Sequence, residues 1–302
     1  MEDIIFNKKF LEIDNVSIID NVNKNGFFFF EGALNQKFVQ KIEEDLSNKD
    51  FGLNVNTTNP VYTKAQYFFS NAMTASKEYF NLITSKKIFS IAKTKYNKDF
   101  RLKAQRYYET KYGNYMPWHA DNVDNNGVLH KNDGLIMIIY INDVFDGEFQ
   151  LIEGSNLKID ENKRDVNYIA DNYVEENYKD NIKSFKGKSG SIIIYDTWHF
   201  HRAKPIKDKN FVRKSIFLQI DNSDRNAEKL LLTPDFFNEE KFKNIELLKF
   251  LGFGNVSDFA SIPAGTIKNL PNKQIIKLTK LLSLTIIKNI IKRILIYLKL
   301  RN

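Results

Sequence analysis

His119-Ala120-Asp121, His201, and the pair Arg213 and Ser215 are the residues of this chain whose types and spacing could do chemistry. On a β-strand successive side chains point to opposite faces, so a His and an Asp two apart look to the same side. One imidazole, one carboxylate and a second imidazole from a distant strand make a 2-His-1-carboxylate triad, which holds Fe(II) on one face and leaves other coordination positions open. Each residue taken singly has a plainer reading. His119 and Asp121 could be a hydrogen-bonded structural pair, and Arg213 a surface charge on an edge strand. Order and strand context together carry the metal reading, and His130, in a polar Asn- and Asp-rich loop, falls outside it.

The elements that must position these groups are legible as strands. Arg101–Thr110 reads as one, broken by Gly113-Asn114-Tyr115-Met116-Pro117 just before Trp118-His119, so the triplet sits at a strand edge or in the turn beside it. Gly134–Asn142 is too short and too β-branched for a helix, and Gly147–Ile152 alternates apolar with polar. Gly190–Asp196 is a buried-type strand running on through Thr197-Trp198-His199-Phe200-His201-Arg202 to Pro205, which puts His199 and His201 on one side. In the strand Arg213–Ile220, Arg213, Ser215 and Phe217 share a face. If that face is inward, a permanently charged guanidinium is buried with no acidic neighbour in sequence, and an anionic ligand carboxylate would meet it.

This series of strands, with His119-x-Asp121, the Gly147–Ser155 segment, a long insert, then His201 and Arg213-x-Ser215, resembles the Fe(II)/2-oxoglutarate-dependent dioxygenases. Within them it looks most like the phytanoyl-CoA dioxygenase-like group, with prolyl-hydroxylase-like enzymes as near cousins. The resemblance covers roughly residues 100 to 222, and more loosely the strand Gly26–Gly32 and the helix after it. It implies a mainly β core with flanking helices (α+β), a double-stranded β-helix or jelly roll, and a C-terminal helical appendage. It also implies His119, Asp121 and His201 as iron ligands, Arg213 on the distal carboxylate of 2-oxoglutarate with Ser215 assisting, and O2 as co-substrate. His201 rather than His199 is the implied distal ligand, since its spacing of four to Pro205 and twelve to Arg213 fits the family's run better. On the second strand Tyr107 is the candidate hydroxyl for 2-oxoglutarate, with Gln105 sharing its face. The implied reaction is hydroxylation of a small-molecule or carrier-linked metabolite, with succinate and CO2 released. A protein or peptide hydroxylase and a catalytically silent jelly-roll binding module are the alternatives.

Composition bounds the rest. The 302 residues, 42% of them apolar, suffice for one sizeable core and an accessory region, and the absence of cysteine excludes disulfides and thiolate metal sites. The organisation expected is an oxygenase domain over 1–222, with its jelly-roll core about 100–222 and helical support in 1–99, followed by an accessory helical region 223–302. Asn35 is expected to cap a helix over Gln36–Leu46, Asn238–Leu251 to form one amphipathic helix, and the charged, Tyr-rich insert 156–188 to lie over the mouth of the barrel. The net charge of +8 is unevenly spread: from Phe259 onward there are nine basic residues and no acid, which leaves 36 basic against 37 acidic before it. A near-neutral body needs no groove for a phosphate backbone, so nucleic acid is not an expected partner. An acidic start with no basic segment leading into a long apolar stretch argues against a secretory signal and for a cytoplasmic protein. The run 273–300 is helix-like, apolar over most of its circumference, with a lysine stripe. Its longest uncharged stretch, Leu281 to Ile287, is seven residues, far short of the ~20 a spanning helix needs. It offers peripheral contact at the inner membrane face, or a contact with another subunit.

Overall fold

In the computed structural model the described residues are 2–47, 61–62, 66–69, 72–113, 116–121, 134–155, 164–165, 168–223, 227, 230–254 and 272–298. Two antiparallel sheets face each other. The larger has the strand order β1 (Phe27–Phe30), β11 (Ile192–Asp196), β6 (Leu135–Tyr140), β13 (Val212–Asn222), β4 (Phe100–Lys111), β3 (Gln66–Phe69), β2 (Val61–Tyr62). The smaller runs β10 (Ile182–Gly187), β7 (Val144–Ile152), β12 (His201–Ala203), β5 (Trp118–His119), β9 (Tyr168–Ile169), β8 (Arg164–Asp165). This is the expected jelly-roll core.

Why the central strands are apolar on both faces follows from what covers them. On β6, Leu135, Met137 and Ile139 join a core built with the helices, whereas Ile136 and Tyr140 join Phe149, Leu151, Phe185, Ile193 and Tyr195 between the sheets. The helical cover comes chiefly from Asn15–Asn25, Gln36–Leu46, Lys77–Ile83 and Lys86–Lys95, whose apolar stripes supply Ile18, Val22, Phe38, Ile42, Phe80, Ile88 and Ile91. Phe236, Phe237 and Phe250 extend the same core, with Phe80–Phe237 and Phe89–Phe250 ring contacts at 4.9 and 5.7 Å. A third cluster lies on the outer side of the small sheet, where Val174 of the helix Asp171–Asn177 packs with Trp118, Ile152 and Phe200.

Local chemistry departs from the sequence expectations in three places. Asn35 precedes the helix Gln36–Leu46 but makes no side-chain cap; its amide instead donates to the carbonyls of Asp3, Ile4 and Phe6, pinning the N-terminal segment. The amphipathic stretch Asn238–Leu251 is two helices, because Asn244 ends the first and its side chain caps the second at Leu247 N, 3.0 Å away. The insert 156–188, expected over the mouth of the barrel, contributes β8, β9 and β10 to the small sheet, and its helix packs on that sheet's outer side; residues 156–163 and 166–167 lie outside the described ones. No helix among the described residues is long and apolar enough to cross a membrane.

Gly26 closes the helix Asn15–Asn25 with φ of +90°, and a Cβ there would lie 2.4 Å from His199 Nε2. Gly32 also has positive φ but faces open space. Left-handed backbone costs a non-glycine residue about 1–2 kcal/mol. Gly32→Ala should therefore lose about that much in urea unfolding, and Gly26→Ala, which adds the clash, clearly more. Equal losses would show that the His199 contact does not constrain the turn.

Candidate metal centre

β5 is only two residues long, and its neighbours hold it. His119 pairs with His201 of β12 on one side and with Tyr168 of β9 on the other, while Trp118 pairs with Ile169. Trp118 is fully buried under the Arg202 guanidinium, 4.5 Å from its ring centre. Arg202 is itself tied to Gln150 at 2.9 Å and to Asp171 of the insert helix at 3.0 Å. Asp121 follows β5 in a bend, where its backbone N–H donates to Thr197 O at 3.2 Å. Strand pairing thus brings residues 82 apart in sequence onto one side of the small sheet, and Asp121 reaches the same point from the turn.

His119, Asp121 and His201 each present a ligand atom there, all within 4.8 Å of one another. The ring orientations are set by the backbone. His119 Nδ1 lies 2.9 Å from Pro117 O and His201 Nδ1 2.9 Å from His199 O. A carbonyl only accepts, so each Nδ1 carries the hydrogen, and each Nε2 turns an unprotonated lone pair inward. His201 Nε2 lies 3.3 Å from Asp121 Oδ2, and His119 Nε2 3.7 Å from Asp121 Oδ1. Asp121 Oδ2 is a buried atom with no hydrogen-bond donor assigned to it among the described residues. Three acceptors converging with no proton between them fit a divalent cation. Burial, aided by the nearby His201, lowers the His119 pKa, so the ring stays neutral. Burial works to raise the Asp121 pKa, but the charge of the neighbouring imidazoles in their protonated state outweighs it and holds the carboxyl at about 2, so the group is a carboxylate.

The same cavity, of about 160 Å³, reaches across to the large sheet. There the inward rows are Thr110 with Arg213, Tyr108 with Ser215 and Tyr140, and Arg106 with Phe217 and Ile138. Arg213 is buried; it donates to Gly147 O and, at 3.4 Å, to Thr110 Oγ1, and makes no ion pair among the described residues. The nearby Glu148 carboxylate is taken by Lys204 at 2.9 Å. Burial therefore lowers the Arg213 pKa, against the pull of Tyr140, Glu148 and Tyr108. Tyr195 adds a buried hydroxyl 3.3 Å from His201 Nε2, and Phe149 packs 5.4 Å from the His201 ring. A larger groove, about 670 Å³, runs past Ile4, Gln36, Lys41 and Asn81, but it carries no imidazole and no buried charge, so volume alone does not mark the site.

Two sequence-based placements are corrected. Tyr107 and Gln105 face the helices, not the cavity: the Tyr107 hydroxyl donates to Glu109 at 3.2 Å and lies 3.4 Å from Ser47. β4 turns Arg106 and Tyr108 inward instead. Polar residues stand on both faces of this strand, and a bulge opposite Gln219/Ile220 shifts its phase, so alternation could not distinguish them. His199 is not beside His201 on a strand. It sits in the turn before β12, its Nδ1 2.7 Å from Asp196 Oδ1 and its ring against Gly26. Asp196 Oδ1 also accepts from the N–H groups of Trp198 and His199, so His199 fixes the turn that delivers His201.

No protein-family profile matches this sequence, and no curated protein does. Solved structures do share the fold. HygX from Streptomyces hygroscopicus, with nickel and 2-oxoglutarate bound, superposes with a TM-score of 0.55 at 13% identity over 74% of this chain and 93% of its own. The non-heme alpha-ketoglutarate-dependent carbocyclase SnoK from nogalamycin biosynthesis gives 0.53 at 13%, over 75% and 90%. The epimerase SnoN, in complex with Fe3+, alpha-ketoglutarate and nogalamycin RO, gives 0.52 at 14%, over 70% and 85%.

Titrating metal-free protein with Mn(II) or Ni(II) should show one tight site in the wild type and in His199→Ala, and binding weakened by more than about 100-fold in His201→Ala. His199→Ala should instead lower the melting temperature, because Asp196 loses a buried partner. Loss of metal binding in His199→Ala with a preserved fold would reverse the assignment.

Proposed function

We propose that this chain is an Fe(II)/2-oxoglutarate-dependent dioxygenase that hydroxylates an unactivated C–H bond of a small-molecule or carrier-linked metabolite, releasing succinate and CO2. The observation that carries the reading is the pairing, in one cavity, of three convergent acceptors with a buried guanidinium that has no carboxylate partner among the described residues. A metal answers the first and a dicarboxylate's far end answers the second.

His119, Asp121 and His201 would hold the iron, leaving its other positions facing the cavity. Bound iron, with 2-oxoglutarate and O2, supplies an oxidant strong enough to take a hydrogen atom from carbon. Arg213 would bind the distal carboxylate, its position already fixed by Gly147 O and Thr110. Ser215 lies two residues along the same face, and Tyr108 opposite it takes the place expected of Tyr107. Phe149 and Tyr195 wall the His201 ring and would exclude water on that side. Arg106, Met116 and Phe217 line the remainder, where substrate would enter with both a cation and apolar surface to meet it.

Residues 1–222 are proposed as the catalytic unit and 223–302 as accessory to it. HygX has been captured with hygromycin B and SnoN with nogalamycin RO, which supports a natural-product-sized substrate rather than a protein. A silent binding module would have no use for a convergent ligand set and a guanidinium without a carboxylate partner in the same cavity.

Anaerobic addition of Fe(II) and then 2-oxoglutarate to the metal-free protein should produce the weak visible charge-transfer band of the chelate. Arg213→Gln should retain the band but need about 10- to 100-fold more 2-oxoglutarate, as expected for losing a charged hydrogen-bond pair. A well-folded wild type that gives no band would sink the proposal.

A further inference from the structure

The helix Asn272–Tyr297 is 26 residues long, about 39 Å, and plays no part in the cavity. Ten large apolar side chains on it and just beyond stand exposed; Leu282, Ile286, Ile290 and Ile294, one turn apart along one side, are each more than 50% exposed. Water-soluble surfaces rarely carry an apolar patch of that extent without something to cover it. At 100° per residue Lys280, Lys288 and Lys292 fall away from that row, interleaved with Leu281, Leu284, Ile291 and Leu298, and Arg293 alone points back toward the apolar stripe.

Charge decides what the cover is. From Phe259 onward there are nine basic residues and no acid. A second copy of the helix would set lysine against lysine with no acid on either strand to offset them, whereas paired helices rely on opposite charges flanking the seam. A spanning orientation fails because no uncharged stretch is long enough. A surface that is apolar beneath and anionic above satisfies both sides at once: the isoleucine and leucine stripe enters the acyl boundary, and the lysines, with their apolar stems laid along it, reach the phosphates.

We infer that this helix is an in-plane anchor for anionic lipid bilayers. The inference stands apart from the oxygenase reading. Its test is sedimentation of the full-length protein with vesicles of phosphatidylcholine alone, or of phosphatidylcholine mixed with phosphatidylglycerol. Co-sedimentation is expected only with the mixed vesicles and should fall with added salt. The triple variant Lys280→Glu/Lys288→Glu/Lys292→Glu should weaken it about 100-fold or more, at roughly fivefold per lysine. Leu282→Ser/Ile286→Ser/Ile290→Ser should abolish it, with the melting temperature of the catalytic body unchanged in both variants as a check on the fold. Protein that stays in the supernatant, or binds both vesicle types equally, overturns the proposal. So does a stable dimer in sedimentation equilibrium that dissociates in the serine variant, which would assign the stripe to self-association.

Discussion

A single residue pairing, His201 opposite His119, is the constraint on which the rest of the site depends. β5 is too short to hold itself in place. Its position comes from β12 on one flank, β9 on the other, and the Trp118 ring clamped beneath Arg202. Two of these supports lead into the insert, through Ile169 and through Asp171. A segment that looks from the sequence like a cover over the barrel is therefore part of the frame that sets the separation of the two imidazoles. Damage to the insert would reach the metal without touching a ligand.

The electrostatics follow from that frame. The cavity keeps two opposite demands unmet: a cluster of acceptors on the small sheet and a guanidinium on the large one. They do not neutralise each other. Asp121 feels His201, His119 and, more weakly, Lys103, while Arg213 feels Tyr140, Glu148 and Tyr108. Leaving both without an opposite formal charge costs stability, because the hydrogen bonds of Arg213 to Gly147 O and Thr110 offset only part of the solvation a buried charge forfeits. A site that carries such costs at two separated points is preorganised for a ligand that bridges them, and a metal chelated by a dicarboxylate has that shape.

How far the sequence could be read depended on whether a residue's role was announced by its own pattern or by its partner's. The strands around 135–140 and 192–196 were plain, because both faces are buried and the run is continuously apolar. His119-x-Asp121 and Arg213-x-Ser215 were legible for a different reason: rare residue types two apart. β4 was not. Gln105, Tyr107 and Glu109 are buried on the helix side through contacts made by other segments, so polarity there says nothing about facing. Likewise His199 and His201 look alike in sequence. Only the three-dimensional turn, with Asp196 beneath and Gly26 alongside, gives one a structural task and leaves the other free to face the cavity.

The two sheets also differ in strand length and in the packing behind them, and this bears on how the site would respond to its ligands. The strands bearing Arg213 and Ser215 are long, centrally placed and covered on one face by helices and on the other by the small sheet. The strands bearing the histidines have two and three residues and rest on a small outer cluster. Local opening free energy tracks buried contact density, so the metal side is the more easily opened of the two. A ligand held at once by the small sheet's acceptors and the large sheet's guanidinium ties the pliant half to the rigid one. Either component alone must order the small sheet by itself; the second to arrive finds that cost already met. Metal and dicarboxylate would then bind with positive coupling even though they touch different residues, and the coupling is reciprocal by necessity.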